Sequence, residues 1–233
     1  MGNFLSDDQR RLLGAMDIPL WISRPATEIP VDVVVDIDRP ATAVGDDEAW
    51  TFLQTEVAGC VQCQLHTSRT QTVFGVGDRS ADWMIIGEAP GADEDRQGEP
   101  FVGRAGQLLN EMLRAVGLER RQVYIANILK CRPPGNRDPK SEEVSACAGF
   151  LNRQVALIQP RLILAVGRVA AQNLLQEDLP VGRLRGRVHR FGHLDIPVVV
   201  TYHPAYLLRS PGQKRKAWAD LCLAQSLIRQ TGP

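Results

Sequence analysis

Four short apolar runs punctuate the chain beyond residue 80: Trp83–Gly87, Val123–Asn127, Leu162–Val166 and Pro197–Thr201. They alternate with helical patterns at Ala105–Val116, Lys140–Ile158 and Arg168–Leu175, and a further pattern, Gln213–Ile228, closes the chain. Most of the runs are rich in β-branched residues, and each leads into Gly, Asn or polar residues. Alternation of this kind predicts an α/β fold, a largely parallel sheet with helices on both faces. In such sheets ligands bind beyond the carboxyl ends of the strands. Attention therefore falls on Gly87–Phe101, Asn127–Asn136, Gly167 and Tyr202–Arg209.

With 233 residues the chain is long enough for one well-buried domain and an appendage. Residues 1–25 read as a short amphipathic helix at Ser6–Met16 followed by an apolar string. Residues 26–46, with Pro30, Pro40 and scattered Asp, read as a tether with one edge strand at Val31–Ile37. The compact domain is expected over residues 47–233, its first helix opening on the acidic residues before Trp50. No apolar run is long enough to span a bilayer. The N-terminus lacks the basic-then-apolar order of a signal peptide, so a cytoplasmic protein, acting as a monomer, is expected.

Net charge is zero, but its distribution is uneven. The first 59 residues carry 11 acidic and 4 basic side chains, a net of −7, so the rest carries +7. A basic body behind an acidic leader suits a polyanionic partner whose affinity falls with salt.

Five cysteines occur, at positions 60, 63, 131, 147 and 222. Cys60 and Cys63 form a C-x2-C pair, while Cys131 and Cys147 have 15 residues between them. In a reducing compartment this pattern points to metal or redox chemistry more than to disulfides. The spacing suits a four-cysteine zinc site or a 4Fe-4S cluster, and buried thiols without metal are the plain alternative. Cys222 shares a helix side with Trp218 and Leu221 and is read as core.

The strand ends hold the remaining candidates. The loop Gly87-Glu88-Ala89-Pro90-Gly91 can present backbone N–H groups and hold a carboxylate in a fixed pose. It matches neither a dinucleotide fingerprint nor a Walker loop. Asn127, with one acceptor and two donors, can read a ligand edge that pairs an acceptor with a donor, and a helix or turn cap is the equal alternative. Phe101 is a candidate aromatic platform, although in isolation a buried core phenylalanine is the better reading. His203, fixed before Pro204, is placed for acid–base or electrostatic work. Behind it, Leu207, Leu208 and Arg209 form an apolar–basic wedge, and Lys214, Arg215 and Lys216 a phosphate-contacting trio. His66, His189 and His193 lie in loop-like sequence without a partner motif.

Taken together, GEAPGADEDRQGEPFVGRAGQLL, YIANILKCRPPGNRDP, LILAVGRVAAQNLL and TYHPAYLLRSPGQKRKAW resemble the family 4 uracil-DNA glycosylases over residues 47–230. The resemblance implies a four-stranded parallel α/β/α fold and a 4Fe-4S cluster on Cys60, Cys63, Cys131 and Cys147. It implies hydrolysis of the N-glycosidic bond of uracil flipped out of DNA. Phe101 would stack on the base, Asn127 would read its edge, and Gly87 and Ala89 would line the site. His203 would donate toward uracil O2, and Glu88 would handle the water, with Asp93, Glu94 and Asp95 as rivals. Leu207, Leu208 and Arg209 would prop the vacated stack, and Lys130, Arg132, Arg137 and Lys214 would meet the DNA backbone. A non-catalytic DNA-binding adaptor on the same fold is the competing reading. Residues 9–25 faintly resemble the N-terminal peptide of the bacterial polymerase III psi subunit, which implies docking on the chi subunit.

Overall fold

The computed structural model describes residues 44–230. The leader helix expected at Ser6–Met16 and the strand expected in Val31–Ile37 lie outside the described residues. Four strands, β2 (Trp83–Gly87), β3 (Tyr124–Asn127), β4 (Leu162–Val166) and β6 (Ile196–Thr201), run parallel at the centre of one sheet. Every residue of these four is buried. That is why they read as unbroken apolar runs: Met84, Ile86, Ile163, Ala165, Val198 and Val200 pack on one face. Trp83, Ile85, Leu162, Leu164 and Val199 pack on the other.

Antiparallel edge strands add to the expected four, giving the order β1-β3-β2-β4-β6-β5 with β1 at Val76–Gly77 and β5 at Val188–Phe191. His189, read above as loop, lies in β5, where its Nε2 is 2.7 Å from the Leu184 carbonyl. β5 is half-buried and polar, and its pairing partner decides it more than its own residues do.

The helices are α1 (Val44–Ala58), α2 (Ala92–Gln97), α3 (Arg104–Ala115), α4 (Ser141–Ile158), α5 (Arg168–Leu175), α6 (Val181–Leu184), α7 (Pro204–Arg209) and α8 (Lys214–Gln230). Side chains of α4, α5 and α6 join the first core, and those of α3, α7 and α8 join the second. A third cluster gathers Leu53 and Val57 of α1, Leu65, Leu129 and Phe150 around Cys131 and Cys147. On α8 the buried stripe is Ala217, Leu221 and Ala224. Trp218 and Cys222, four residues apart, face solvent instead, so Cys222 is not core. No helix among the described residues is long and apolar enough to cross a membrane.

Among the parallel strands the chain starts at β2, turns out to β3, then crosses back to β4 and β6 on the other side. The order therefore reverses between β2 and β4, and the carboxyl ends of four strands meet there.

Candidate active site

At that switch point a cavity of about 720 Å³ opens. Glu88, Ala89, Phe101, Asn127, His203 and Arg209 line it, so residues from three strand ends and the loop after β2 face one space.

Asn127 ends β3 with its side chain buried at 2 % exposure, and no described hydrogen bond holds its amide. Phe101 is no exposed plate. It is 7 % exposed, part of the second core, and its ring stands 5.6 Å from the His203 ring at 29°. Gly87 does not line the cavity but lies beneath it. A Cβ there would come within 2.5 Å of Asn127 Oδ1 and 2.6 Å of Phe101 Cζ, so the missing side chain lets the amide and the ring converge. Gly167, at φ 99°, does the same under His203, whose Cβ would lie 3.0 Å from an added methyl.

His203 caps α7. Its Nδ1 accepts the Ala205 N–H at 3.1 Å, which places the neutral ring's proton on Nε2. Burial first, and then the Arg209 charge, pull His203 down to about 4, so the ring is neutral at physiological pH. Glu88 is pushed above the ordinary carboxylate value, first by burial and then by Asp138, with Arg168 opposing. Arg168 and Asp138 form an ion pair at 2.5 Å on the same cavity wall, a pair the sequence motifs did not single out.

The rival carboxylates are spoken for. Glu94 accepts from the backbone N–H groups of Gly91, Val102 and Gly103. Asp95 accepts from the Thr70 N–H at 2.9 Å and its hydroxyl at 2.7 Å. Asp93 pairs with Arg96. Glu94 and Asp95 tie loop to helix; Glu94 also borders the cavity, but three backbone amides hold its carboxylate, whereas no described hydrogen bond holds that of Glu88.

Three expectations for the DNA-facing residues need correction. Leu207 is 1 % exposed and packs in the second core, because it lies on the inward side of the short helix α7. Leu208, at 38 %, is the exposed apolar residue beside Arg209. Lys130 does not face solvent at all: its Nζ donates to the Asn127 carbonyl at 3.0 Å and to Gln154 Oε1 at 2.6 Å, and burial pulls it down to about 8. Arg137 is engaged by Glu143, whereas Arg132, half-exposed, bonds Asn136 on its own loop and Lys214 is exposed.

Away from this cavity, Cys60, Cys63, Cys131 and Cys147 line a second one, with Val57, Leu65, Leu129 and Phe150 as its apolar walls. Arg69 Nη1 donates to Cys131 Sγ at 3.0 Å, and the Lys130 N–H donates to Cys147 Sγ at 3.3 Å. Burial raises both of these thiols, Cys147 to about 11, against the opposing pull of Arg69 on Cys131 and of Lys130 on Cys147. Among the described residues no His, Cys, Asp or Glu group is set to hold a metal ion. The four thiols surround a space instead, a donor set suited to a larger inorganic group.

The family model described as the uracil DNA glycosylase superfamily matches residues 74–223. The type-4 uracil-DNA glycosylase of Archaeoglobus fulgidus is 46 % identical over 172 residues, 71 % of this chain and 86 % of that protein. That of Thermotoga maritima is 39 % identical over 190 residues, 80 % of this chain and 98 % of the relative. A type-5 uracil-DNA glycosylase from Thermus thermophilus is 34 % identical over 136 residues, 52 % of this chain and 60 % of the relative.

Proposed function

Because the chain belongs to the uracil DNA glycosylase superfamily, and within it to the type-4 enzymes, we propose that it excises uracil from DNA with Phe101, Asn127, His203 and Glu88 as its working side chains. The observation that carries this reading is their meeting around one cavity at the switch point of the sheet.

The flipped base stacks on Phe101 and presents its pairing edge to Asn127, which donates to O4 and accepts from N3–H. Cytosine offers an amine where uracil has O4 and leaves buried polar groups unpaired, at about 1–3 kcal/mol each. As the C1′–N1 bond breaks, its electron pair moves onto the uracil ring. The His203 Nε2–H, neutral and fixed by the bond at Nδ1, donates toward O2 where that charge develops. Glu88 orients the water that adds to C1′ and offsets the positive character of the sugar. The product is free uracil and an abasic site. Arg209, which lines the cavity, and the exposed Leu208 beside it fill and brace the gap left in the stack, while Lys214 and Arg132 contact phosphates.

The four-thiol set fits a 4Fe-4S cluster, held by Cys60, Cys63, Cys131 and Cys147. When bound, it would tie the loops of Cys60, Cys63 and Cys131 to α4, which carries Cys147, and it would take no redox part in the hydrolysis. Cys131 follows the buried Lys130 that grips the Asn127 carbonyl, so the staple and the base reader share one backbone segment. A Cys131→Ala protein that kept its fold and its DNA affinity would remove this structural role.

Cleavage of a uracil-containing single strand after alkali treatment, wild type against His203→Ala, tests the whole reading. A non-catalytic adaptor would leave the strand intact with both proteins. Docking of residues 1–25 on a replisome subunit is a separate proposal, carried by sequence alone, and unchanged recovery of the chi subunit after deleting residues 1–26 disposes of it.

A further inference from the structure

Phe101 sits at φ 55°, in the left-handed region that a bulky aromatic residue enters only when its surroundings impose it. The surroundings are specific. Arg120, half-buried in the turn before β3, donates Nη2 to the Pro100 carbonyl at 2.5 Å and Nη1 to the Phe101 carbonyl at 3.4 Å. From the other side, Glu94 Oε1 accepts the Val102 and Gly103 N–H groups at 3.0 and 3.2 Å. In α3, Gly106 leaves room for the displaced carbonyl: a Cβ there would lie 1.7 Å from Phe101 O. Two carbonyls and two amides of one four-residue loop are thus held by one guanidinium and one carboxylate.

We propose that Arg120 is the positioning residue of the aromatic platform, its forked guanidinium fixing the Pro100 and Phe101 carbonyls so that the ring stands ready opposite His203 before a base arrives. This rests on the reading of Phe101 as the surface on which uracil stacks. Arg120 does not line the cavity, so it acts through Phe101 alone. Glu94 and Glu99 lie near enough to support its charge where burial opposes it. Lysine would not serve, because an ammonium on a flexible stem lacks the planar fork that spans two adjacent acceptors. A base that meets a ring already in place pays no further ordering cost, and a displaced ring loses the reactive alignment.

The test compares Arg120→Met, Phe101→Ala and the double variant in the intact protein. The readouts are kcat/KM on a uracil-containing single strand, affinity for the same strand without uracil, and the melting temperature. Arg120→Met lowers kcat/KM roughly 10- to 100-fold, as loss of alignment does, while affinity for the uracil-free strand stays at the wild-type value. In the Phe101→Ala background the same substitution has no further effect, because the group it positions is gone. Losses that multiply in the double variant, or wild-type kcat/KM in Arg120→Met, overturn the inference while the Phe101 reading stands. Wild-type activity in Phe101→Ala sinks that reading itself. Arg120→Lys, which keeps the charge but not the fork, carries the same comparison should Arg120→Met melt early.

Discussion

At His203 the two ring nitrogens divide the work, one capping α7 and the other facing the cavity. Removing the ring in His203→Ala should cost about 10²- to 10³-fold in kcat, the usual loss for one donor to a developing anion. The pH dependence separates His203 from Glu88. His203 is neutral above about 4, so it contributes no acid limb near the ordinary histidine value. Glu88 acts ionised, and its value is raised, so the rate should rise with pH through a limb above the usual carboxylate range and then level off. Glu88→Gln should abolish that limb, whereas His203→Ala should lower the plateau and keep it. The stability signs follow the same shifts. The unfolded chain protonates His203 at higher pH than the folded one, so its contribution is intact near neutrality and is lost as pH falls from 6.5 toward 4. Folded Glu88 holds its proton to higher pH than the unfolded chain, so its ionised form costs stability near neutrality. Glu88→Gln should therefore melt higher than wild type at pH 7, read by calorimetry. Gly87→Ala tests the convergence itself: the added methyl, 2.5 Å from Asn127 Oδ1, must push amide and ring apart, and excision should fall on the order of 100-fold.

At the scale of elements, α7 carries two leucines with opposite duties. Leu207 is held in the second core, and Leu207→Ala should cost about 2–5 kcal/mol in denaturant unfolding. Leu208 is exposed, and Leu208→Ala should leave stability unchanged yet slow excision from duplex more than from single-stranded DNA, since only the duplex leaves a gap to fill. Equal slowing on both substrates would argue against the wedge. The choice between these neighbours was not legible in the sequence, because the phase of a six-residue helix is set by what it packs against. The four central strands were legible, since burial on both faces writes each as an apolar run. The edge strands were not: Val76–Gly77 is two residues long, and Val188–Phe191 is polar enough to pass for loop. The same limit explains the site. Asn127 and His203 stood out at strand ends and Phe101 through the family resemblance, but Lys130 looked like any basic residue beside a motif. Its burial became visible only once Gln154 of α4, 24 residues on, was in place. Arg120 stood beside Arg121 with nothing in the sequence to separate the half-buried clamp from the exposed neighbour.

Across the whole molecule, charge is divided along the chain. Residues 1–46 hold 8 acidic and 4 basic side chains, a net of −4, so residues 47–233 carry +4 in a protein that is neutral overall. The basic side chains proposed for phosphate contact, Arg132 and Lys214, belong to the second part. A tethered acidic segment competes with DNA for such a surface by Coulomb attraction alone, whatever its conformation. Removing residues 1–46 should then tighten binding to a uracil-free strand at low salt. It should also steepen the fall of log affinity with log salt, because more phosphates meet free cations. The advantage should shrink as ionic strength rises and the screening length drops to roughly 10 Å at 0.1 M. Titrations of both proteins over a salt series check this. Parallel lines, offset equally at every salt concentration, would mean that the leader acts through something other than its charge.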